Sequence, residues 1–221
     1  LLLTRELLEE EEHLTGQAYC SFWEARLAIE TGDVSAGLVK LRESIVLAQN
    51  VNDEHLLAEA WTLLLNAATH QANPVLANEA IENYEFLTLE HRHDHWPAAF
   101  ARWQWLSGRL TEALETLDGF RLGFGHFLNQ NEKLRILIVL GQYQEARSLH
   151  GKLIRNPLLS ELKEMDLFLK MCNLVLKKES GSLFPSHSWI ELDLGQWHLL
   201  AISDRLQGKD IKPRLQTLHK K

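Results

Sequence analysis

GRLTEALETL (108–117) and GQYQEARSLHGKL (141–153) are two copies of one pattern. Each opens on a glycine and has a large residue two positions on (Leu110, Tyr143). Five positions after the glycine stands a small residue (Ala113, Ala146), and four beyond that a bulkier one (Leu117, His150). GDVSAGLVKLRESI (32–45) repeats the pattern with Val34, Gly37 and Leu41 in those places. Each glycine follows a run with apolar residues three and four apart, as in AYCSFWEARLAIE (18–30). That spacing is an amphipathic helix. A glycine directly after it ends the helix in a left-handed turn. The small residue lets a second helix lie close on the first, so the unit is helix–turn–helix.

VLANEAIENYEFL (75–87) reads as a further copy, with Ala80 as the small residue and Tyr84 four later, but with no glycine at its turn. The small positions then fall at 37, 80, 113 and 146, at intervals of 43, 33 and 33. The long first interval is assigned to an insertion in the turn at Asn73 and Pro74. Seven residues before the turn glycine stand Ala25 and Ala101, with Leu134 in the last copy. ELKEMDLFLKMCNLVLK (161–177) continues the helical spacing, prolines number 5 in all, and strand-like alternation is almost absent. The chain is all-α.

Helix–turn–helix units with a period of about 34 residues resemble the tetratricopeptide repeat, and the resemblance covers roughly residues 14–155. The family's repeat-end proline is missing, so this is a divergent copy. Runs such as EARLAIETGD and LLAEAWTLLLNAA are similar to the repeat domain of bacterial regulators of the maltose-activator type. The resemblance implies a TPR-like right-handed superhelix of antiparallel helix pairs. On it, residues 1–155 are repeats with a truncated first unit, and 156–221 are an atypical repeat or C-terminal cap with a basic tail. Helices are expected over 158–178 and 188–207, with GSLFPSH (181–187) turning between them. The opening LLLTRELLEEEEH starts in amphipathic helix without an initiator methionine and reads as a piece of a longer protein.

Composition narrows the function. Of 221 residues, 45% are hydrophobic, enough for a real core, and the formal net charge is −7. An acidic chain is a poor match for a phosphate backbone, which argues against direct nucleic-acid contact. No apolar run is long enough to span a membrane. The two cysteines, Cys20 and Cys172, form no framework, which suits a reducing cytoplasm. No phosphate-loop or nucleophile-elbow motif occurs. DGFRLGFGHF (118–127) reads as a long turn, and EEEE (9–12) as a solvated face.

Two clusters carry candidate chemistry. HRHDHW (91–96) holds three histidines and an aspartate. A metal needs converging ligands, whereas Asp94 reads as a helix N-cap and Pro97 sits in the first turn of the next helix, which places the cluster at a joint between repeats. No metal and no cofactor is expected. The second cluster is a ladder. Six residues before each turn glycine stands an arginine: Arg26, Arg102 and Arg135, with Asn66 as the occupant in the second repeat. Trp105, three before its glycine, is expected to face the groove, whereas Trp23, Trp61, Trp103 and Trp189 are expected in the core. Arginine forks bind carboxylates in bidentate fashion, so the ladder points to an acidic peptide, another protein or a small anionic effector in a concave groove. The competing reading is that each arginine pairs with a neighbouring glutamate, such as Glu30 or Glu132, and glues repeats together. The lysine/asparagine clamp of the family's chaperone-binding members is not reproduced. The expected function is thus non-catalytic binding. Its alternatives are a scaffold that self-associates, as a homodimer through an exposed end repeat, and an enzyme using the 91–95 cluster.

Overall fold

The computed structural model describes residues 13–88, 95–118 and 123–157, and beyond these only 169, 170, 172, 173 and 176. The described residues form eight helices and no strand: α1 Leu14–Glu30, α2 Val34–Val51, α3 Glu54–His70, α4 Pro74–Glu85, α5 Trp96–Leu106, α6 Leu110–Asp118, α7 Gly123–Val139 and α8 Tyr143–Leu153. None is long and apolar enough to cross a membrane.

The turns α1–α2, α3–α4, α5–α6 and α7–α8 have one geometry. Each has three residues between helices, and the middle one has positive φ: Gly32 at 94°, Ala72 at 49°, Gly108 at 83° and Gly141 at 74°. The next amide donates to the carbonyl five residues back in each case: Asp33 to Ala28, Asn73 to Ala68, Arg109 to Gln104 and Gln142 to Leu137, at 2.8–2.9 Å. This is the closure that satisfies carbonyls left over at a helix end.

Ala72 corrects the sequence reading of the second copy. Asn73 and Pro74 are no insertion. Asn73 caps α4 by accepting from the amides of Val75 and Leu76, and Pro74 opens the helix, where its missing N–H costs nothing. With Ala72 as the turn residue, the small residue five later is Ala77, not Ala80. The turns fall at 32, 72, 108 and 141, so the spacing shortens from 40 through 36 to 33. The surplus of the first interval lies in the B helix, since α2 has 18 residues against 12, 9 and 11 in α4, α6 and α8.

Small residues hold each pair together. A Cβ added at Gly37 would lie 2.5 Å from Ile29 Cγ1 and 2.9 Å from the Ala25 carbonyl oxygen, so α2 crosses α1 in near backbone contact. Ala77, Ala113 and Ala146 are fully buried in the same place, as are their counterparts Ala25, Leu65, Ala101 and Leu134.

The chain falls into two compact units, Leu1–Thr116 and Leu117–Lys221. In the first, α1 packs on α2, α2 on α3, α3 on α4, and the A helices α1, α3 and α5 lie next to one another in that order. Phe22, Leu41, Ile45, Leu56, Trp61, Leu64 and Tyr84 fill its core. In the second, α7 packs on α8. Leu169, Cys172 and Leu176 are buried at helical spacing, and Arg147 donates to the Leu176 carbonyl at 3.0 Å.

Three other expectations shift. The N-cap position of α5 is His95 rather than Asp94, because the helix starts at Trp96. The glycine-rich stretch is not one long turn, since α7 begins at Gly123 and carries part of it as helix. Trp23 stands 47% exposed, whereas Trp61 is buried and Trp103 half-buried. Residues 1–12, His91, His93, Asp94, Trp189, the helix over 188–207 and the basic tail lie outside the described residues.

Candidate functional site

The face shared by α1, α3 and α5 is built from one register. Two, six and thirteen residues before the turn stand Glu30, Arg26 and Tyr19 on α1, and His70, Asn66 and Glu59 on α3. Positions separated by three, four and seven lie on one side of a helix. About 100° round the helix stand Ala25 and Leu65, both fully buried. Of this register, Arg26, Glu30 and His70 are exposed and form its open side, whereas Tyr19, Glu59 and Asn66 are half-buried.

On α1 the open side is organised around Trp23. The Arg26 guanidinium lies 5.3 Å from the Trp23 ring centroid, within cation–π range. Arg26 Nε donates to Glu30 Oε1 at 2.8 Å. Both partners are about half exposed, 45% and 59%, so the pair is worth roughly 1 kcal/mol at most and leaves the guanidinium exchangeable. Tyr19 donates its phenol to Asp53, which also accepts from the Leu56 amide at 2.9 Å and so caps α3. Burial, then the Asp53 charge and hydrogen bond, then Glu59, push the phenol above its ordinary range. On α3, His55 Nδ1 is 3.9 Å from Glu59, and Asn66 is half-buried. Arg102 of α5 is half-buried and already has an interaction partner.

The other two sequence-derived residues have different surroundings. Trp105 is 6% exposed, so it is buried rather than open on a groove. Arg135 belongs to the second unit, where its side chain is 7% exposed and lies 3.8 Å from Glu132. It also sits near Cys172, whose thiol burial pushes far up, with Arg135 opposing that shift. Asn129, on the same helix, is fully buried with neither amide atom hydrogen-bonded. Arg26 and Arg135 thus share a register and an acidic neighbour, but one faces solvent and the other is interior.

Tyr19, Trp23 and Glu59 escaped the sequence reading. The signal that finds them is the same count back from the turn, extended from six to nine and thirteen. Among the described residues, no group of three or more His, Cys, Asp and Glu side chains is placed to hold a metal ion. Comparisons with protein-family models, with curated proteins and with solved structures found no match to this chain.

Proposed function

We propose that this chain is a non-catalytic binding module, a TPR-like repeat domain that takes a peptide or small anionic ligand across the open side of its A helices. The observation that carries the reading is the alignment of α1, α3 and α5 as neighbours with Arg26, Asn66 and Arg102 in equivalent places. A row of side chains repeated from helix to helix suits an extended partner, whose groups also recur along its length. Trp23 adds a large, rigid apolar contact, and Arg26 is already oriented over it. Aromatic and arginine side chains of this kind dominate binding energies. On this reading the second unit's Arg135 acts in the interior, through Glu132. The parent would be a cytoplasmic bacterial regulator whose DNA contacts lie in a separate domain.

A structural scaffold is the second reading. What favours it is that Arg26 and Arg135 both have acidic neighbours within their own helix.

An array of acidic peptides probed with wild type and with an Arg26→Glu/Arg102→Glu double variant separates the two. The binding reading expects hits that weaken at least tenfold in the double variant while circular dichroism stays unchanged. Hits that persist at full strength in a folded double variant would remove the arginines from the site.

A further inference from the structure

We infer that the outer furrow between the B helices α2 and α4 is a docking site for a basic amphipathic helix of another protein. Two rows of side chains line it. Val39, Arg42 and Val46 stand three and four apart on α2. Val75, Glu79, Glu82 and Phe86 stand four, three and four apart on α4. Each row is one side of its helix. Phe86, the C-cap of α4, keeps a helical backbone (φ −77°, ψ −14°), so its row runs through it. Arg42 donates to both carboxylate oxygens of Glu79, at 2.7 and 2.8 Å, which sets the two rows face to face. Leu38 and Leu76, partly buried against the core, lie beneath them. The apolar members Val39, Val46, Val75 and Phe86 are 56–88% exposed.

The repeat itself does not ask for these apolar residues. They stand three, seven and fourteen positions after their turns. At three and seven, α6 has Thr111 and Glu115, and at three, seven and fourteen the last unit has Gln144, Ser148 and Arg155, all exposed. Polar side chains thus serve the helix pair at these positions, and apolar surface gathered there on neighbouring helices marks an interaction site. Length and charge select the occupant. From Val75 to Phe86 the row runs about 16 Å along α4. That is the reach of about three turns of a partner helix whose anchors recur at three and four. Glu79 takes up the Arg42 charge, whereas Glu82 and Glu85, beside Phe86, are exposed carboxylates. They attract cations set beside the partner's apolar anchors and repel anions. The occupant is the charge opposite of the ligand proposed for the open side of the A helices, and the two surfaces share no residue.

The test is fluorescence anisotropy of labelled designed peptides titrated with the 221-residue chain, with circular dichroism as the folding control. One peptide is an amphipathic helix with leucines at helical spacing flanked by lysines. A second has the same composition shuffled, and a third has glutamates for the lysines. The first is expected to bind saturably, and the other two at least tenfold more weakly. Val46→Ser/Phe86→Ser is expected to weaken the first at least tenfold with unchanged helicity. Glu82→Lys, a single exposed change, is expected to shift the preference from the lysine peptide toward the glutamate peptide. Arg26→Glu/Arg102→Glu is expected to leave binding of the lysine peptide in place. The inference is overturned if the lysine peptide does not bind, if the shuffled peptide binds equally well, or if Glu82→Lys leaves the preference unchanged. Binding that survives Val46→Ser/Phe86→Ser, or that Arg26→Glu/Arg102→Glu removes, puts the peptide elsewhere and overturns it too. A doubled chain mass in light scattering that Val46→Ser/Phe86→Ser halves would give the furrow to a second copy instead.

Discussion

At the scale of single residues, the turns decide most. Ala72 sits at φ 49°, where three other turns have glycine. An L-residue with a Cβ is strained there by about 1–2 kcal/mol, partly offset by the extra freedom glycine gives the unfolded chain. Ala72→Gly is therefore expected to stabilise the fold by about 0.5–1 kcal/mol in urea unfolding. A loss of stability would mean that the alanine methyl makes a contact worth more than the strain. Gly37 gives the opposite sign. An added methyl meets Ile29 and the Ala25 carbonyl inside contact distance, so Gly37→Ala should cost about 1–3 kcal/mol by forcing α1 and α2 apart. Tyr19 gives a pH dependence. Its phenol is held above the usual value near 10 in the folded state, so the unfolded chain loses that proton first as pH rises. The stabilisation is fully present below the unfolded pKa and is lost as pH climbs through the folded one. Tyr19→Phe should accordingly flatten the alkaline fall in stability, as measured by urea midpoints on either side of pH 10.

At the scale of helices, the sequence was legible where a residue type has one physical use. Glycine after an amphipathic run marked three of the four turns. The fourth was misread because Ala72 does glycine's work without glycine's name, and because Asn73–Pro74 looks like a loop although it is a cap and a first helical residue. Trp23 and Trp105 were misplaced for a related reason. Periodicity assigns a residue to a side of its helix, but which side is covered depends on the neighbouring helix, and that neighbour is a tertiary fact. The link between the B helices shows the same limit. Arg42 holds Glu79 through two hydrogen bonds of 2.7 and 2.8 Å, from α2 to α4, across 37 positions that no local pattern connects. Arg42 is 52% exposed and Glu79 29%, so the pair is largely solvent-screened and Glu79→Gln should cost about 1 kcal/mol, which a double-mutant cycle with Arg42→Ala would measure.

At the scale of the whole molecule, the all-α class and the helix–turn–helix unit were readable, because they rest on periodicity repeated many times. The candidate site was readable only in outline. The count back from each turn found the arginines, but it could not tell that Arg26 lies over an exposed tryptophan while Arg135 is interior beside Glu132. Burial in the second unit also governs its chemistry: Cys172 keeps its proton and should resist thiol reagents until the protein unfolds. The central claim concerns the first unit, namely that the open side of α1, α3 and α5 is a binding surface. The most direct measurement is Trp23 fluorescence, read as the difference between wild type and Trp23→Phe, during titration with the strongest acidic peptide from the array. The claim predicts a saturable change that Arg26→Glu/Arg102→Glu abolishes and Arg135→Lys leaves in place. A Trp23 signal that does not respond while the peptide still binds would contradict it and place the binding surface elsewhere.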